Sequence, residues 1–109
     1  MTLRNIPEDK PAELTSLIDI KTHQVVSMAL SKSEHVSITL LAFASDENVS
    51  DEIYSGDTMY LVLEGNMCVI SDEKRINVNS GQIIKIPAGK SHKLESDNAF
   101  KIMQITIQD

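Results

Sequence analysis

His92 is the residue whose neighbours best equip it for chemistry. It closes the run Gly81-Gln82-Ile83-Ile84-Lys85-Ile86-Pro87-Ala88-Gly89-Lys90-Ser91-His92. Pro87 fixes its own φ, and Gly89 can take the positive φ that most residues avoid. The Pro-Ala-Gly segment therefore predicts a tight connection that delivers His92 to the start of a strand. An imidazole in that position can ligate a metal, move a proton or anchor a polar ligand. Beside a carboxylate it forms an acid–base pair. The plainer expectation is an internal histidine hydrogen-bonded with Tyr54 or Glu52, since buried polar groups are paired whatever their role.

Glu52 and Tyr54 stand two apart and so face one side of a strand. If that side is the interior, they flank His92. Strict alternation around Ile53 argues the reverse, with Ile53 inside and the polar pair in solvent. Tyr60 shares a face with Thr58 and Val62, and core packing with a bonded hydroxyl accounts for it. Other candidates carry less. His23 precedes a strand and His35 lies in a polar turn, so both read as solvated. Ser91 has no neighbouring acid and no glycine elbow, which excludes a serine nucleophile. Ser55-Gly56-Asp57 has one glycine and no following helix, so it is a turn and not a phosphate loop. Met59, Met67 and Met103 read as core or interface filler.

The elements that must position these residues are strands. Runs of strong β-propensity cover 24–30, 36–44, 49–54, 58–63, 67–71, 75–78, 83–86, 90–95 and 100–107. Turn clusters separate them: Ser31–His35, Ser45–Asn48, Ser55–Asp57, Glu64–Asn66, Asp72–Lys74 and Asn79–Gly81. No segment sustains helical periodicity. Many short strands with regular turns predict an all-β sandwich or barrel. Residues 1–15, with Pro7 and Pro11, read as an irregular arm, with a short helical turn expected near 11–17; residues 16–109 read as a single barrel domain. The stretch 58–63 is apolar on both alternating faces, which a half-solvated antiparallel sheet would not tolerate. A second subunit is the simplest cover, so a homodimer is expected.

A chain of 109 residues suits one core. With 16 Asp and Glu against 10 Lys and Arg, its net charge of −6 and the lack of any basic stripe exclude nucleic acid as a partner. Anionic membrane surfaces are disfavoured for the same reason, and no apolar run is long enough to span a bilayer. The single cysteine, Cys68, cannot pair within the chain and reads as a small buried hydrophobe. No secretion signal is evident at Met1–Pro7. The expected location is the cytoplasm.

On these residues the chain resembles a small single-domain cupin of the conserved-barrel, RmlC-like type. The second cupin motif matches as Gly81, five residues, Pro87, one residue, Gly89, two residues and His92. The first motif ends on Gly65, preceded by Tyr60-Leu61-Val62-Leu63-Glu64. Counting back from Gly65 puts Thr58 at the family's glutamate and Tyr54 and Glu52 at its two histidines; the initial glycine is missing near Ser45–Asn48. The resemblance implies an all-β jelly-roll barrel, with Glu52 and Tyr54 turned inward beside Thr58, Tyr60 and His92. It also implies a degenerate metal site. A firm transition-metal site needs imidazole and carboxylate donors in fixed geometry, and of the four ligand positions only His92 is unchanged, with Glu52 the one other capable donor.

The expected function is therefore a cupin barrel that binds a small molecule through Glu52, Tyr54, Thr58, Tyr60 and His92. It would hold no tight metal, and at most a weakly bound divalent transition metal on His92 and Glu52. One alternative is an enzyme: a metal-dependent dioxygenase or isomerase, or a metal-free epimerase type with His92 as base, Tyr54 or Tyr60 as acid and Glu52 orienting the base. The other is a structural dimer whose barrel is filled by side chains.

Overall fold

A computed structural model describes residues 2–109. Nine strands follow a 3-10 turn at Leu14–Ser16: β1 (Val25–Lys32), β2 (Val36–Phe43), β3 (Asn48–Glu52), β4 (Asp57–Glu64), β5 (Asn66–Ser71), β6 (Lys74–Asn79), β7 (Ile83–Ile86), β8 (His92–Glu95) and β9 (Phe100–Ile107). They form a five-stranded sheet in the order β1-β2-β9-β4-β7 and a four-stranded sheet in the order β3-β8-β5-β6. Every strand pair is antiparallel. From β2 to β5, and again from β6 to β9, the chain changes sheet at each step. That alternation winds the two sheets into a jelly roll, and the predicted all-β barrel is the observed fold.

The turns follow their residues. β5 and β6 are joined by Asp72 and Glu73, both at positive φ (51° and 65°), between the paired residues Ser71 and Lys74. Two consecutive left-handed residues give the turn whose twist matches a two-residue hairpin. Gly56 makes a different demand. A Cβ there would clash with the Ile107 carbonyl, so glycine lets the chain pass against the end of β9.

Between the sheets lies the main core, built from Phe43, Tyr60, Val62, Met67, Val69, Val78, Ile86, Leu94, Phe100 and Ile102. Phe43 and Phe100 stack at one end with ring centroids 4.3 Å apart. The inner wall of the five-stranded sheet changes character along its strands. Phe43 pairs with Phe100, and Leu41 and Val62 flank Ile102. One rung further, Thr39 and Tyr60 flank Gln104; beyond that, Ser37 and Thr58 flank Thr106. One end of the barrel is thus apolar and the other lined with hydrogen-bonding groups.

A second cluster sits on the outer face of the same sheet, where Leu14, Leu17, Ile18 and Ile20, in the segment before β1, pack on Leu40, Ala42, Leu63 and Met103. The apolar outer face of β4 is therefore covered in part by the chain's own N-terminal segment, a cover that composition alone does not reveal. The remainder stays open. A groove of about 790 Å³ runs over Met59, Ile105 and Ile107, with Ile83 on its rim 62% exposed.

Candidate functional site

The connection before β8 is fixed by its own backbone. Gly89 adopts φ +79°, and its N–H donates to the Tyr54 carbonyl at 2.8 Å. The neighbouring Ala88 N–H donates to Asp57 Oδ1 at 2.9 Å. This contact and Lys85 hold the Asp57 carboxyl below its ordinary range. The Pro87–Gly89 turn is so pinned against residues 54–57, and that contact sets Tyr54, in the connection after β3, near His92 at the start of β8.

His92 is 3% exposed and points between the sheets. Its Nε2 lies 2.7 Å from the Tyr60 hydroxyl, and its Nδ1 lies 3.1 Å from the Lys90 carbonyl oxygen. A carbonyl only accepts, so Nδ1 carries a proton and donates it to Lys90. In the neutral ring Nε2 is then the acceptor, and Tyr60 donates to it. Burial is the main reason the Tyr60 phenol is pushed well above its ordinary value, with Tyr54 and Glu52 adding to the rise. Tyr60 is therefore held as a neutral donor. The expected partners Tyr54 and Glu52 do not bond His92: Tyr60 and the Lys90 backbone do, and Tyr54 stands off at a ring-centroid distance of 6.1 Å.

Glu52 and Tyr54 bond one another. The Tyr54 hydroxyl donates to Glu52 Oε2 at 2.8 Å. Burial first, and then the Glu52 carboxylate, raise the Tyr54 phenol, while the Gln104 side chain beside it pulls the other way. Glu52 does turn inward, as its pairing with His92 requires, and Ile53 is 59% exposed. The local cause is a bulge. Val49 pairs with the buried Leu94 and Glu52 with the buried His92, three residues along, with Asp51 between them at φ +57°. The extra residue resets the alternation, which is why strict counting from Ile53 gives the wrong face. Thr58 is buried, with its Oγ1 3.1 Å from that of Thr106.

All five residues singled out in the sequence thus gather at one end of the barrel. Four on the same inner wall were missed: Ser37, Thr39, Gln104 and Thr106 complete the polar end. A signal existed, because Gln104 and Thr106 are the two polar residues at period two in the otherwise apolar run Ile102–Ile107. Asp57 is exposed, and His23 and His35 are exposed as expected. Cys68 is buried and free.

The donor set does not fit a firmly held transition metal. The acceptor nitrogen of His92 is taken by Tyr60, Tyr54 stays protonated, and Thr58 bonds a second hydroxyl. Among the described residues no group of three or more His, Cys, Asp or Glu side chains is placed to hold an ion. Among the described residues, too, no helix is long and apolar enough to cross a membrane.

No family model and no curated protein matches the chain. Solved structures do. A cupin superfamily protein from Desulfitobacterium hafniense superposes with a TM-score of 0.96 at 40% identity, over 100% of both chains. A conserved protein of unknown function from Streptococcus pyogenes superposes with a TM-score of 0.94 at 26% identity, over 100% of this chain and 96% of that one. A cupin 2 conserved barrel domain protein from Leptotrichia buccalis gives a TM-score of 0.89 at 24% identity, over 98% of this chain and 51% of that one, a likeness of fold.

Proposed function

The chain belongs to the cupin superfamily, and we propose that it binds a small molecule at the polar end of its barrel without a tightly held metal. The observation that carries this reading is the Tyr60–His92 hydrogen bond, 2.7 Å long and buried, beneath the half-buried Glu52–Tyr54 pair. A barrel built only for packing would carry its apolar lining to both ends. Here two successive rungs of the inner wall are polar instead, and they keep hydrogen-bonding capacity that a bound molecule can use. Burial also divides the roles. Tyr60 is 0% and His92 3% exposed, so they form the floor. An arriving molecule meets Glu52, Tyr54 and Gln104 first.

The buried Tyr–His pair also favours a second reading, an acid–base enzyme. In that reading Tyr60 is the acid and His92 the base, with the Lys90 carbonyl, in place of Glu52, orienting the imidazole. The near-zero exposure of both groups keeps this reading second.

Two further parts of the proposal rest on other features. The open groove over Met59, Ile83, Ile105 and Ile107 is where a second copy would complete a homodimer. A cytoplasmic location, with no nucleic acid or membrane as partner, accords with one buried free thiol and the net charge of −6.

The test is a thermal-shift screen of small polar molecules against the wild-type protein and His92→Ala. Binders should raise the unfolding midpoint of the wild type and lose that effect in the variant, whose fold is checked by circular dichroism. A screen in which every binder acts equally on both proteins would place the site elsewhere.

A further inference from the structure

We propose that this polar end selects its ligand by positive charge and hydrogen-bond donors: a small organic ammonium seated against Glu52, with Gln104 on the opposite sheet as the second determinant of specificity. The inference rests on the reading of the barrel as a small-molecule site and names the class of molecule it takes.

The argument is an inventory of protons. Tyr60 spends its hydroxyl proton on His92 Nε2, and His92 spends its Nδ1 proton on the Lys90 carbonyl. Tyr54 spends its proton on Glu52 Oε2. What these groups still offer an arriving molecule is lone pairs: on the two phenol oxygens and on Glu52 Oε1. Thr58 and Thr106 use one of their two protons on each other. Gln104, which pairs with both Thr39 and Tyr60, supplies an amide able to accept as well as donate. A molecule that brings only acceptors, such as a carboxylate or phosphate, would meet the Glu52 carboxylate and find only the wall's hydroxyls and the Gln104 amide to donate to it. A molecule that brings N–H donors meets matching partners.

Charge points the same way. Glu52 makes no ion pair among the described residues, although Asp57 and Asp72 each have one with a lysine and Glu95 has two, with Arg75 and Lys93. It is half-buried, with the Tyr54 hydroxyl as its hydrogen-bond partner. A carboxylate in that setting gains most from a cationic partner that also donates hydrogen bonds. The adjacent phenol ring adds a face that attracts cations. The cation on an inward register position of the five-stranded sheet is Lys32, opposite Ser37 on the edge strand β1; it is exposed and forms no ion pair with Glu52. The net charge of −6 favours the approach of cations as well.

The test is isothermal titration of the full chain with small amines, alcohols and carboxylates of matched skeleton, for example glucosamine, glucose and gluconate beside propylamine, propanol and propionate. The amine of a matched set should bind about tenfold more tightly than its neutral and anionic partners, the scale of one charge-assisted contact. Glu52→Gln, which keeps an acceptor for Tyr54, should abolish that preference. Gln104→Leu should weaken the amine and keep the preference. Equal or tighter binding of the alcohol or carboxylate, lost in His92→Ala, would overturn the charge assignment and leave the small-molecule site standing. A preference for amines that survives Glu52→Gln would overturn the role of Glu52. Binding by no compound of any class would overturn both the inference and the reading beneath it.

Discussion

Tyr60 turns His92 from a metal ligand into a satisfied hydrogen-bond acceptor. The buried Nε2 has no other partner, so Tyr60→Phe should destabilise the fold by about 1–3 kcal/mol in urea unfolding, the cost of an orphaned buried polar group. Wild-type stability in that variant would mean the bond does not form. The same variant probes alkaline behaviour. Tyr54 and Tyr60 have their phenols raised above the ordinary value of 10.0. The unfolded chain therefore ionises first. Their stabilising contribution is intact below about pH 10 and is lost as the pH climbs toward the folded values. The alkaline decline in stability should be shallower in Tyr60→Phe. At this scale the sequence was readable in part. His92 announces itself through Pro87 and Gly89, which act locally. Its partner does not, because Tyr60 lies on the other sheet and only the packing of the two sheets brings the pair together. Glu52 was placed inward by the family's register and not by alternation, since the bulge at Asp51 leaves no mark that a period-two count can detect.

The strands themselves were legible almost residue by residue, because alternating β-prone runs and turn clusters act over short distances. What they cover was not. Residues 1–15 read as an irregular arm with a short helical turn and 16–109 as the barrel, yet Leu14, Leu17, Ile18 and Ile20, on both sides of that boundary, close part of the apolar outer face for which a second subunit is the simplest cover. Spacing among Leu, Ile and Asp in a short segment says nothing about which sheet it will lie on. The close passage of residues 54–57 against β9 and the Pro87–Gly89 turn is the element-scale device that holds the site. Gly56→Ala tests it. The new methyl group would meet the Ile107 carbonyl carbon at 2.7 Å and its oxygen closer still, so backbone must shift. We expect a loss of about 1–3 kcal/mol, the usual cost of overpacking, together with weakened ligand binding as Tyr54 and the turn move. Unchanged stability and binding would mean that this junction tolerates displacement and does not position the site.

For the whole molecule, the jelly roll uses its two faces differently. The inner face grades from stacked phenylalanines to a polar end, and the outer face grades from the cover given by residues 14–20 to an open apolar groove. The groove predicts self-association: light scattering at micromolar concentration should give twice the 12.1 kDa chain mass, and Ile107→Glu should return it to one. A wild-type monomer would remove the homodimer from the proposal and leave the barrel site untouched. Most directly at stake is whether the barrel works without a firmly held metal. Elemental analysis of untagged protein, prepared without chelator beside His92→Ala, addresses it. The account predicts no stoichiometric transition metal in either sample, because Tyr60 occupies the one imidazole nitrogen available to an ion. A near-stoichiometric metal in the wild type that vanishes in His92→Ala would contradict it.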